Sequence, residues 1–326
     1  MEVLNEILNL IKQSNKIIVT GHIMPDGDCI SSVLSLSIAL EKVGKDVLPV
    51  IDYDIPYQYQ ELVEVQKIKK ANDVIREINE CDLIIILDSS SVDRIGKLKD
   101  FLENKKKIVI DHHVTNEKFG DVNWVGDFFS STAQMIYRLN QALGVEYDSR
   151  LSTINLMGIA TDTGFFRYPN TTSEVFKDAY ELSKRGGEIW PIAQMILENN
   201  RPERLKLFAN TIEKMEFLLD GKFVHSIIRY EDFKRFNCKE EDSSGFVGEL
   251  RAIKGVEVAV LVVEYPKGKV HVSMRSKNEF DVSTIASELG GGGHPRAAGC
   301  TFDDADPDEI RKIVVNKISE ALSIRG

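Results

Sequence analysis

Four short β-branched runs, spaced by helical patterns, leave this chain few folds to choose from. The runs are KIIVTG (16–21), DVLPVID (46–52), DLIIILD (82–88) and KIVID (107–111). The last two are apolar almost throughout, as strands covered on both faces are. Between the first two lies SSVLSLSIALEKVG (31–44), a helical pattern whose Gly44 suits a C-terminal cap. Strand, helix and strand in that order predict βαβ units, and so an α/β domain with a mainly parallel sheet flanked by helices.

The pattern then changes twice. From 130 to 186 it is helical: STAQMIYRLNQALG, SRLSTINLMGIATDTG and TSEVFKDAYELSKRGG. A further helical stretch, 189–219, joins the halves. Beyond it KFVHSIIRY, VEVAVLVVEY and KVHVSMRS have strand character, the last two linked through PKGK as a hairpin. These shifts divide the chain into an N-terminal domain (1–188), a helical linker (189–219) and a smaller C-terminal α+β domain (220–326).

Composition narrows the partners. With 51 acidic against 41 basic residues and a net charge of −10, the surface does not suit a long nucleic-acid duplex, whose nonspecific binding needs clustered Lys and Arg. Apolar runs such as Leu83 to Leu87 are far short of the roughly 20 residues of a membrane span. The N-terminal MEVLNEILNLIKQ reads as an amphipathic helix rather than a signal peptide. Cys29, Cys81, Cys238 and Cys300 are too scattered for a disulfide framework or a structural zinc site, which fits a reducing cytoplasm. No long interface heptad stands out, so the sequence sets no oligomeric state and a homodimer stays open.

Three of the apolar strands run into acidic or imidazole groups: His22 after IIVTG, Asp88 after IIIL, and Asp111, His112 and His113 in IVIDHH. Open α/β sheets bind ligands beyond the carboxyl ends of their strands, so these endings should converge on one crevice. Asp26 and Asp28 follow His22 within a PDGD turn, and Asp162 closes a helical pattern beside Gly164. Taken singly, each aspartate has a plain reading as a cap or turn residue. Yet four of the six histidines (His22, His112, His113 and His294) fall in these few clusters. Carboxylates buried together repel unless cations bind them. An oxygen-rich set with two imidazoles suits Mn²⁺ better than Mg²⁺, with Zn²⁺ a poorer match. There are enough ligands for two ions. Ser89 and Ser90 lack a base and an orienting acid and read as turn and capping hydroxyls.

The ordered motifs GHIMPDGDCISS, ILDSS, IDHHV, ATDTGFFRYPNTT and GGGGHPRAAGC resemble those of the DHH–DHHA1 phosphoesterases, most closely the stand-alone oligoribonuclease and pAp-phosphatase subfamily. The resemblance runs from about residue 16 to 302. It implies an N-terminal DHH domain, a C-terminal DHHA1 domain and two Mn²⁺ ions. His22, Asp26 and Asp88 would hold one ion; Asp28, Asp88, His112 and Asp162 would hold the other, with Asp88 as the bridge. It also implies that His113 donates to the phosphate and that Asp111 orients the imidazoles. Ions roughly 3.5–4 Å apart support hydroxide attack in line at phosphorus without a protein nucleophile. The implied substrates are short oligonucleotides, linear pApA-type dinucleotides, cyclic di-AMP and the 3′-phosphate of pAp.

Specificity should come from the second domain. In KVHVSMRS, alternation places Val270, Val272 and Met274 on one face and Arg275 on the other, where a guanidinium can clamp phosphate. In GGGGHPRAAG, Gly292 and Gly293 offer backbone that can approach an anion, with His294 as an added donor. Arg167 is a further substrate contact, whereas His225 reads as structural. Two rivals are weighed against this. One is a nucleotide-binding or sensory protein with a degenerate DHH centre, disfavoured because every ligand position is filled. The other is an inorganic pyrophosphatase, disfavoured because SMRSK and the glycine loop stand where that family carries SRKK.

Overall fold

A computed structural model describes residues 2–126 and 128–325. The chain divides into two compact units, Met1–Asn199 and Asn200–Gly326. The first is built on β1 (Lys16–Thr20), β2 (Asp46–Val50), β3 (Leu83–Leu87), β4 (Lys106–Asp111) and β5 (Val122–Val125), in the order β2-β1-β3-β4-β5. All four pairings are parallel. The period of two sends Ile17, Val19, Ile85 and Ile110 to one core, shared with α1 (Glu2–Gln13), α2 (Gly27–Lys42), α4 (Thr132–Ala142) and α5 (Ser149–Asp162). Ile18, Ile84, Ile86 and Val109 enter a second core with α3 (Ile75–Glu80). Two covered faces explain why β3 is buried at every position.

Helices α2, α4 and α5 cross closely, and Gly158 is the reason. A Cβ there would lie 2.6 Å from Ser31 Oγ and collide with the Ala133 methyl. α6 (Ser173–Lys184) and α7 (Ile189–Ala193) complete this unit.

The second unit opens with α8 (Pro202–Glu213). Its six-stranded sheet comprises β6 (Glu216–Leu218), β7 (Phe223–Ile228), β8 (Val258–Glu264), β9 (Val270–Ser276), β10 (Gly292–His294) and β11 (Ala297–Phe302). The order is β10-β11-β9-β8-β7-β6, antiparallel except for β7 with β8. α9 (Tyr230–Phe236) and α10 (Phe246–Ala252) cover one face, and α11 (Val282–Glu288) and α12 (Pro307–Arg325) the other. β8 and β9 form the hairpin expected around Pro266–Gly268.

Three features depart from the sequence reading. β5 is a four-residue edge strand interrupted by the polar Asn123, too short to show a periodicity. The stretch 189–219 is not one helix: a π-turn over Gln194–Glu198 follows α7, and Pro202 opens α8, because its ring fits the first helical turn but not the interior. The same stretch then ends in strand β6. Gly292 and Gly293, read from the sequence as backbone open to an anion, lie in strand β10 and pair with β11.

The helix crossing yields a stability expectation. Gly158→Val should cost about 3 kcal/mol, because overpacking a close crossing forces the backbones apart. A urea midpoint equal to wild type would refute this close-packing account.

Candidate metal centre

His22, Asp88 and His112 follow strands β1, β3 and β4, Asp26 and Asp28 open α2, and Asp162 ends α5. His22 follows β1 after Gly21, where a side chain would collide with Cys29 Sγ. Its Nδ1 lies 2.8 Å from the Ile23 carbonyl, and its Nε2 faces Asp88 Oδ2 at 3.5 Å. Arg94 Nη2 also stands 3.2 Å from Nδ1.

Asp26 caps α2, its Oδ1 accepting from the amides of Asp28 and Cys29, both at 3.1 Å. It lies 3.9 Å from His22 Nε2 and is the most exposed member of the set. Asp28, one residue into the helix, is buried. Its carboxylate accepts from the amides of Thr132 (2.7 Å) and Ala133 (2.8 Å), the first turn of α4. Orphan amides of a helix N-terminus thus meet a buried anion. Burial, and then the charges of Asp88, Asp162 and Asp26, still push its pKa well above the ordinary carboxylate value.

Asp88 directly follows β3, with a left-handed φ of 56° that is rare for a residue with a Cβ. Its Oδ1 faces His112 Nε2 at 3.7 Å, His113 Nδ1 at 3.6 Å and the Thr132 hydroxyl at 3.1 Å. Burial alone would raise its pKa. The hydrogen bond with His22 and the charges of His113, His22 and His112 outweigh that and hold it well below the carboxylate range.

His112 Nε2 also lies 3.9 Å from Asp28 Oδ2 and 3.7 Å from Asp162 Oδ2, so the last residue of α5 reaches the same point. Asp111 ends β4 and turns to His113, with Oδ1 2.7 Å from Nδ1, while its Oδ2 accepts from Asn116 at 2.6 Å. Burial opposes protonation of His113, but the bond to Asp111 and the charges of Asp111 and Asp88 raise its pKa to about 9. Asp111 therefore orients His113.

These donors fit divalent cations. Asp28, Asp88 and His112 offer ligand atoms within 4.8 Å of one another, as do His22, Cys29 and Asp88, and all five side chains are buried. Among the described residues, no lysine or arginine pairs with Asp28 or Asp88. The Cys29 thiol stays protonated: burial, then Asp88 and Asp26, drive its pKa far up.

Arg167 is exposed, and its Nε donates to the Gly164 carbonyl at 2.7 Å, so its described hydrogen bond is to its own turn. In the second unit, Arg275 on β9 pairs with Ala297 on β11, which pairs with His294 on β10. Arg275 and His294 thus share one face and one row, with only a methyl between them. Gly293 has φ 139°, and a Cβ there would come within 2.5 Å of the Ala297 carbonyl, so the hairpin itself requires that glycine. A Cβ at Gly292 would meet nothing within 4 Å.

Sequence reasoning missed Arg94, Asn116 and Thr132. The SST before a helical pattern does signal a helix N-terminus, but not one aimed at a carboxylate 104 positions away.

Comparisons with known proteins place the chain in a family. Residues 16–159 match the N-terminal domain of the DHH family and residues 220–323 match the DHHA1 domain. The bifunctional oligoribonuclease and PAP phosphatase NrnA of Thermus thermophilus is 33% identical over 328 residues, covering 100% of this chain and 95% of that protein. An exopolyphosphatase-related protein from Bacteroides fragilis shares the fold with a TM-score of 0.88 at 24% identity, covering 99% and 98% of the two chains. RecJ of Thermus thermophilus, solved in complex with Mn²⁺, shares it at a TM-score of 0.56 and 16% identity, covering all of this chain and 54% of RecJ. Among the described residues no helix is long and apolar enough to cross a membrane. With domain matches at both ends and a relative one-third identical along its whole length, the chain belongs to the DHH family and carries a C-terminal DHHA1 domain.

Proposed function

We propose that this DHH phosphoesterase hydrolyses short oligonucleotides to mononucleotides, taking pApA-type dinucleotides and nanoRNA, and also removes the 3′-phosphate of pAp. Cyclic di-AMP, which presents the same phosphodiester, belongs to the same substrate class. The observation that carries the proposal is the convergence of Asp28, Asp88 and His112, all buried and with ligand atoms within 4.8 Å of one another, where three parallel strands end. The names of the relatives supply the substrate class. The enzyme is assigned to the cytoplasm, where such fragments arise.

Two divalent ions, Mn²⁺ by the mixture of carboxylate and imidazole, would be held by His22, Asp26 and Asp88 and by Asp28, Asp88, His112 and Asp162. Asp26 Oδ1, the oxygen that caps α2, is also the one 3.9 Å from His22 Nε2. Such a pair supplies an activated water and neutralises charge at phosphorus. The protein's own groups do the rest. His113, held protonated by Asp111, donates to a non-bridging phosphate oxygen. Arg275 and His294 grip the terminal phosphate from one face of the second sheet. Gly292 leaves that face open to backbone approach. Arg167, released from its turn, is the remaining substrate contact.

Two outcomes follow. Asp88→Ala removes the carboxylate facing both His22 and His112, so turnover of pApA should fall by several orders of magnitude, and EDTA should act likewise with Mn²⁺ restoring activity. Full turnover by metal-stripped protein would end the metal reading.

The second outcome separates chemistry from recognition. Arg275→Ala and His294→Ala should lower kcat/KM for pApA by about one to two orders of magnitude, the value of a charge-assisted bond of roughly 1.5–3 kcal/mol. Turnover of ApA, which lacks the 5′-phosphate, and of bis-p-nitrophenyl phosphate should hardly change. Equal losses on all three substrates would place both side chains in folding rather than recognition.

A further inference from the structure

Thr132 opens α4 and is fully buried. Its amide donates to Asp28 Oδ2 at 2.7 Å, and its hydroxyl donates to Asp88 Oδ1 at 3.1 Å. Those two carboxylates sit on different elements, α2 and the turn after β3, and the chain separates them by 60 positions. We propose that Thr132 is a positioning residue that fixes both carboxylates of the metal centre, and that its hydroxyl sets the rotation of Asp88. The inference rests on the reading of Asp28 and Asp88 as metal ligands.

The two oxygens of Asp88 serve different neighbours: Oδ2 faces His22 Nε2 at 3.5 Å, and Oδ1 faces His112 Nε2 at 3.7 Å. The carboxylate torsion is soft and roughly two-fold, so packing alone holds it weakly. A hydrogen bond to Oδ1 holds that oxygen toward His112 and thereby keeps Oδ2 toward His22. Partners of this kind, one bond removed from a metal, typically tune affinity by about 10–100-fold.

The hydroxyl has no other described task. The cap of α4 is Ser131, whose Oγ accepts from the Gln134 amide at 3.1 Å. Losing the Thr132 hydroxyl therefore leaves the helix cap intact, and its backbone amide still reaches Asp28.

The test uses the metal-free full chain with Thr132→Val, Thr132→Ala and Thr132→Ser, titrated with Mn²⁺ and read by the electron paramagnetic resonance of free and bound ion. Valine keeps the shape, alanine leaves the space empty, and serine keeps the hydroxyl. Val and Ala should weaken Mn²⁺ binding by about 10–100-fold with melting of the metal-free protein unchanged, and Ser should bind as wild type does. Wild-type affinity in both Val and Ala, or a loss in Ser equal to that in Val, would overturn the role of the hydroxyl. Collapse of the metal-free melting in both Val and Ala would make the hydroxyl a folding element and overturn it too. A wild-type chain that binds no Mn²⁺ would instead remove the metal centre on which the inference stands.

Discussion

Asp28 and Asp88 are removed from water close to one another, and the surrounding structure is arranged around the resulting repulsion. An ionised carboxylate that loses its hydration without compensation costs several kcal/mol. The first turn of α4 answers Asp28 with two amides, and three imidazoles gather around Asp88. What these donors do not supply is a full positive charge of the lysine or arginine kind. A site so balanced is one that divalent cations would complete, which suits the phosphoesterase chemistry proposed for it.

The sheet provides the place. Strand order reverses between β1 and β3, and the crevice at such a reversal lies beyond their carboxyl ends. His22 and Asp88 leave those two strands, and Asp111 and its histidines leave β4 next door. Asp88 accepts a left-handed backbone to turn its carboxylate into the crevice, while its amide is tied to the Ile110 carbonyl at 3.1 Å. Backbone strain of about 1–3 kcal/mol is tolerable where the neighbouring strands over-determine the turn. The surrounding cores, apolar on both sheet faces, supply that rigidity.

Much of the α/β unit was legible because its signals are local. Ile84 to Ile86 announce a buried strand by composition alone, and Gly44, at φ 83°, ends α2 as a glycine after a helix should. β5 escaped because four edge residues with one polar member carry no period. The glycine run carried no strand signal either, yet Gly293 is required by the close approach of β11. That requirement lives in a neighbouring strand, not in the residues beside it.

The same division holds for the site. The sequence by itself determined which residues could be ligands and that His22, Asp88 and His112 follow strands of one sheet, since strand periodicity and the acceptors that follow each run are properties of adjacent residues. It also carried the family, through five motifs in order. Only the tertiary structure decided how those ligands are held. Thr132 and Ala133 reach Asp28 across more than a hundred positions, Arg94 comes to His22, and Asn116 turns Asp111 so that it serves His113. Such partners have no sequence signature because a hydrogen bond depends on the distance and angle between atoms, and those are set by how helices pack on a sheet rather than by which residues are neighbours in the chain.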